Sequence, residues 1–184
     1  MNKYYAGIGS RKTPKDVLYG METLAYVLYK RGYTLRTGGA PGADTAFELG
    51  VAHACFDRED IQNKCEIYLP WPDFQQGTRS WIEPTLTEPG DGADYIAHRF
   101  HPRWNSLSDN SKKLIARNTH QILGRDLANP IPSEFVVCWT EGGKGGGGTG
   151  QALRIAKAYD IPIYDLAKEE DQDKVMKELM INDT

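Results

Sequence analysis

Three times along this chain a short apolar run empties into glycine and hands over to a segment with helical spacing. No other feature restricts the fold as much. The longest instance is FVVCWTEGGKGGGGTGQALRIAKAYDIPIYDL, Phe135 to Leu166. Phe135 to Trp139 reads as a buried strand, seven glycines follow between Thr140 and Gln151, and an apolar-periodic helix then leads to a second short strand, Ile161 to Tyr164. That is a βαβ unit with a glycine loop at the carboxyl end of its first strand. In open parallel sheets ligands sit in the crevice outside those ends, where glycine lets the backbone approach a phosphate and the next helix offers unpaired N–H groups.

The same grammar opens the chain. Tyr4 to Ile8 reads as a strand running into Gly9, Ser10 and Arg11, after which Thr13 is the expected helix N-cap, Pro14 the first helical residue and Asp16 the capping-box acid. Val17, Met21, Leu24 and Leu28 recur at helical spacing and should pack on the sheet, and Gly32 ends the helix. Tyr33 to Thr37 is the next strand, followed by Gly38, Gly39, Gly42 and Asp44 and a helix from Thr45 to Ala54. Asp44 either satisfies the helix dipole or, since a carboxylate repels phosphate, takes a sugar hydroxyl or base donor. Ser10 and Arg11, a hydroxyl and a guanidinium at a strand's end, suit a phosphate. The pattern predicts an α/β, Rossmann-like open and mostly parallel sheet with helices on both faces.

A length of 184 residues fits one domain over 1–184 with a sizeable core. The net charge of -3 excludes a broadly basic nucleic-acid-coating surface while leaving room for a local basic groove. Cys55, Cys65 and Cys138 are odd in number, lack CxxC spacing and lie in apolar surroundings, which reads as reduced core cysteine and a cytoplasmic protein. No stretch approaches the roughly 18 apolar residues of a membrane span.

Cys65 to Leu69 reads as a third strand, and from about 73 to 105 periodicity is lost in a long irregular insertion that scatters Trp81, Tyr95, Phe100 and Trp104. Those aromatics either anchor the loop or stack on bases. His98 and His101 have no third metal ligand in register, so no metal is expected. Ser108 to Leu123 is helical and carries Arg117 and Asn118, which are either a phosphate clamp or a surface residue and a buried cap. A C-terminal surface helix is expected at about 168–181.

Taken in order, AGIGSRKTP, LAYVLYKRGYTLRTGGAPGAD, the triplet Ala116-Arg117-Asn118 and FVVCWTEGG with GGTGQAL resemble the Rossmann-like domain of the DNA-processing protein A (Smf) family, within the wider Smf/LOG group. The match spans nearly the whole chain and looks like the short, single-domain versions encoded by phages and prophages. It implies ligand contacts from Gly9, Ser10, Arg11, Gly38, Gly39, Gly42, Asp44, Arg117, Asn118, Gly147, Gly148 and Thr149. The implied partner is a nucleotide or single-stranded nucleic acid, with a possible homodimer, no membrane and no separate cofactor. A role in phage DNA recombination or nucleotide-signal capture would follow. Two departures matter. Thr119 follows Asn118, so the family's second arginine is missing, and Ala152 stands where the LOG branch, which cleaves the N-glycosidic bond of nucleoside monophosphates, has its catalytic glutamate. The resemblance therefore implies a binding protein before a nucleosidase, with single-stranded DNA binding as a dimer as a further alternative.

Overall fold

The computed structural model describes residues 3–55, 57–74 and 82–181. Five strands, β1 (Lys3–Gly7), β2 (Tyr33–Thr37), β3 (Cys65–Ile67), β4 (Phe135–Cys138) and β5 (Ile163–Asp165), form one sheet in the order β3-β2-β1-β4-β5, and every pairing is parallel. Tyr5 stands opposite both Leu35 of β2 and Phe135 of β4. Strand order therefore reverses beside β1, and a crevice opens there at the carboxyl edge.

Seven helices cover the sheet: α1 (Lys15–Lys30), α2 (Ala43–Ala54), α3 (Arg58–Lys64), α4 (Ala93–Phe100), α5 (Asp109–Leu123), α6 (Gly147–Ala158) and α7 (Glu169–Lys174) among the described residues. Alternate strand positions serve opposite layers, as the period of two requires. Tyr5, Leu35, Cys65, Ile67 and Val137 join Met21, Leu24 and Leu28 of α1 and Phe47 and Val51 of α2 in the larger core. Ala6, Ile8, Val136 and Cys138 face Ile122 and Leu123 of α5 and Ile155 and Ala156 of α6 in the smaller one. Burial on both faces is why the strands read as apolar runs. Each fully buried Leu, Ile or Phe contributes roughly 1.5–3 kcal/mol to that packing. At Gly50 the two helices of the first layer all but touch: an added Cβ would stand 2.1 Å from the Glu22 carbonyl oxygen of α1.

Several boundaries depart from the sequence reading. Pro14 takes the N-cap position of α1, with no side-chain cap, because the Thr13 hydroxyl donates at 2.7 Å to the Ser10 carbonyl instead. The described part of the segment 73–105 is less irregular than expected. It carries α4, whose Ala93, Ile96, Ala97 and Phe100 have helical spacing that small side chains and flanking Pro and Gly concealed. Trp81 lies outside the described residues, while Trp104 stacks on His98 at 5.8 Å between ring centroids, a contact within the segment. The C-terminal helix is only partly a surface element: α7 continues as a π-helical stretch, Val175–Met180, that buries Val175 and Leu179 in the larger core. No helix of the described residues is long and apolar enough to cross a membrane.

His120, fully buried on α5, fastens the insertion to the sheet layer. Its Nε2 accepts from the Gly90 amide at 2.9 Å, which leaves Nδ1 to donate to the Gly124 carbonyl at 2.9 Å, and its ring stacks on Tyr68. Burial lowers its pKa below the ordinary value, more than the two backbone carbonyls raise it. The native state thus resists a proton that the unfolded chain accepts. Stability is complete above about pH 6.5 and falls as pH drops toward the lowered native value, by up to about 1.4 kcal/mol per pH unit for one group. Urea midpoints at about pH 7.5 and about pH 5.5 should differ for the wild type and converge in His120→Gln; equal differences in both would exclude this role. Gly50→Ala tests the helix contact. Alanine normally favours a helix by about 0.5–1 kcal/mol, but a methyl forced against the Glu22 carbonyl costs about 1–3 kcal/mol, so urea unfolding should show net loss.

Candidate anion-binding crevice

Three turns and one helix enclose a cavity of about 730 Å³ at the carboxyl edge of the sheet, within the range of nucleotide-sized pockets. The turn after β1 contributes Ile8 to Lys12, and the turn after β2 contributes Ala40 and Asp44. Thr140 to Thr149 form the wall after β4, and α5 closes the remaining side from Leu114 to Gln121. Most of the residues singled out in the sequence meet here: Gly9, Ser10 and Arg11 on one wall, Asp44, Arg117 and Asn118 on another, Gly147, Gly148 and Thr149 on the third.

In the first turn Ser10 is held by its own backbone. Its amide donates to the Trp139 carbonyl at 3.3 Å, its carbonyl accepts from the Thr13 amide and hydroxyl, and its Oγ accepts from the Lys12 amide at 3.0 Å. Arg11 beside it is exposed. Lys12 reaches across the mouth to Glu141 at 3.2 Å, but with both side chains 72 % and 73 % exposed the pair adds little.

The second turn works differently from the expectation. Gly38, Gly39 and Gly42 are absent from the cavity wall. A Cβ on Gly38 would fall 1.1 Å from Nη1 of Arg117, so this position is empty to admit a guanidinium of the same chain. Gly42 has φ +91°, and a Cβ there would press on the Ser10 carbonyl at 2.9 Å. Asp44, buried at the start of α2, accepts from the Ala40 amide at 3.1 Å and pairs with Arg117 at 3.5 Å. Its carboxylate is thus engaged within the protein while remaining on the cavity wall. The buried Arg117 likewise faces a carboxylate first.

The third turn leads into α6, which begins at Gly147 behind Gly146 with no side-chain cap. The first amides of a helix lack intrahelical partners and carry the positive end of the dipole. Here they belong to Gly147, Gly148 and Thr149, all on the cavity wall. Asn118 fixes the start of the helix from outside, donating from Nδ2 to the Gly148 carbonyl at 2.9 Å. Lys144 adds a cation on the same wall. Of the four cationic side chains lining the cavity, Arg117 is offset by Asp44 and Lys12 by Glu141, while Arg11 and Lys144 come from different turns. Lys12, Thr140, Lys144 and Gln121 are wall residues that sequence reasoning missed. The two lysines sat in turns already singled out, whereas Gln121 gave no signal beyond helical spacing from Arg117. Ala152, fully buried, also lines the cavity, so no carboxylate rises from this point of α6.

No protein-family model matches the chain, and neither does any curated protein. Among solved structures, DNA processing protein A from Helicobacter pylori, described for its single-stranded DNA binding mode, aligns with 96 % of this chain and 72 % of its own at 17 % identity and a TM-score of 0.47. The Moco carrier protein of Chlamydomonas rheinhardtii aligns with 98 % of this chain and 85 % of its own at 15 % identity and a TM-score of 0.55. At such identity the likeness is one of fold, and what this chain shares with the Moco carrier protein is the Rossmann-like, doubly covered parallel sheet.

Proposed function

We propose that the protein is a nucleotide-binding module of the Smf/LOG kind, holding a ligand phosphate at the start of α6. One observation carries this reading: the uncapped first turn of a 12-residue helix opens into a cavity at the reversal of strand order, with Arg11 and Lys144 also on its wall. The apolar wall of Ile8, Leu114, Ile115 and Ala152 gives the uncharged part of such a ligand a dry surface. Binding without turnover fits best. Ala152 offers no general acid or base, Asp44 is committed to Arg117, and Glu141 lies in solvent beside Lys12. Service in DNA processing or in capture of a nucleotide signal, in a cytoplasmic setting, belongs to the same proposal.

A thermal-shift screen over nucleoside mono- and diphosphates and a short single-stranded oligonucleotide tests it, because a ligand of the native state alone raises apparent stability. Moco, named for the fold neighbour, belongs in the same screen. A mononucleotide should raise the melting temperature, and chromatography of the mixture should show no released base. Arg11→Ala and Lys144→Ala should each weaken binding about tenfold, the scale of one charge-assisted hydrogen bond. A full shift in both variants would overturn the assignment. An oligonucleotide spanning several phosphates would instead show log affinity falling with log salt at about 0.7 per phosphate contacted.

Arg117→Ala should behave unlike those two. It leaves the Asp44 carboxylate buried without its guanidinium and should lower folding stability by about 3–5 kcal/mol, read as a shift in the urea midpoint with no ligand present.

A further inference from the structure

The third turn poses a problem that its own residues do not solve. Glycine loses more backbone freedom on ordering than any other residue, and Gly142, Gly143, Gly145 and Gly147 all adopt positive φ, between 62° and 66°. Such a loop keeps one shape only if something outside it imposes that shape. Thr140, buried at the end of β4, supplies two of its hydrogen bonds: the carbonyl accepts from the Gly143 amide at 2.9 Å and Oγ1 accepts from the Gly145 amide at 2.9 Å. Thr140 is in turn held from beneath. Its amide donates to Oδ1 of Asp165 at 3.0 Å and its hydroxyl donates to Oδ2. Asp165, buried at the end of β5, also accepts from the Ala167 amide at 3.2 Å.

We infer that Asp165 and Thr140 are positioning residues for the anion site, a relay that sets which amides of the glycine turn face the ligand. The inference rests on the phosphate-binding reading of the α6 start. The bonds run in one direction, from the Gly145 N–H to the Thr140 hydroxyl and from that hydroxyl to the Asp165 carboxylate, and each strengthens the next. Because its amide is turned inward, Gly145 is withdrawn from the cavity wall, while Gly146 through Thr149 remain on it. Neither Asp165 nor Thr140 has to touch a ligand's charge for this to operate. The buried carboxylate is screened from the anion site by Thr140, whose hydroxyl proton points toward it.

Amide resonances of the full-length protein test the relay with inorganic phosphate as the probe. In the wild type and in Thr140→Ser, phosphate should shift the amides of Gly147, Gly148 and Thr149, and the Gly145 amide should exchange slowly with solvent. In Thr140→Val, which keeps shape and loses the hydroxyl, and in Asp165→Asn, the Gly145 amide should exchange at least tenfold faster and the phosphate affinity should drop at least tenfold. A folded Thr140→Val that titrates like the wild type overturns the inference, as does rapid Gly145 exchange in the wild type. If Thr140→Val does not fold, Asp165→Asn decides by the same two readouts. If phosphate moves no amide of the turn in the wild type while Gly145 is protected, the ligand reading fails and the relay survives only as a loop anchor.

Discussion

The buried pair of Arg117 and Asp44 is the interaction on which the geometry of the crevice depends. Bringing two charges out of water is expensive unless each finds the other in good geometry. The pair, 3.5 Å apart, joins α5 to the start of α2 over the end of β2, and the Ala40 amide is a further donor to the carboxylate. The guanidinium passes through space that any side chain at position 38 would fill. A helix from one sheet face is thereby locked to a helix from the other at the edge where strand order reverses. The crevice keeps its width because its two sides are tied below the opening.

This pairing also marks the limit of what could be read from sequence. Strand, glycine turn and helix are local signals, which is why β1, β2 and β4, the helices after them and Gly32 as the terminator of α1 were legible. Convergence of Ser10 and Thr149 on one cavity followed from parallel topology, since all βα turns of such a sheet share an edge. What a residue faces once the edge is assembled is another matter. Gly38 resembled a ligand-approach glycine because the backbone needs the same missing Cβ whether a phosphate or a guanidinium of the same chain arrives. Thr13 looked like a cap because the side chain that bonds a helix amide is the one that bonds a turn carbonyl. Asp165 was invisible for a third reason: its partner, Thr140, lies 25 positions away, and nothing local distinguishes a strand-end aspartate that anchors a loop from one in solvent.

Charge distribution reconciles an acidic chain with an anion site. A net charge of -3 is spread over the surface, whereas the crevice gathers cations on low-dielectric walls and adds the positive end of α6. Field lines concentrate in such a cleft and make its local potential differ in sign from the whole. Asp44 pairs with the buried Arg117 and Glu141 with the exposed Lys12, so the remaining cationic side chains of the wall, Arg11 and Lys144, are exposed ones.

The composition of the third turn then bears on the choice between holding a ligand and transforming it. Catalysis by a carboxylate requires that group to be rigid, partly desolvated and aimed at the reacting bond. At the buried, rigid position of α6 that faces the cavity stands Ala152, and the acidic residue nearest the turn, Glu141, sits on its most solvent-exposed part. The one fixed carboxylate on the wall, Asp44, is paired with Arg117. What remains rigid is a set of backbone amides, which stabilise charge already present on a ligand and neither give nor take a proton at neutral pH. On the proposed reading, a site built this way discriminates by the position of an anion relative to the apolar wall that Leu114 and Ile115 help to form.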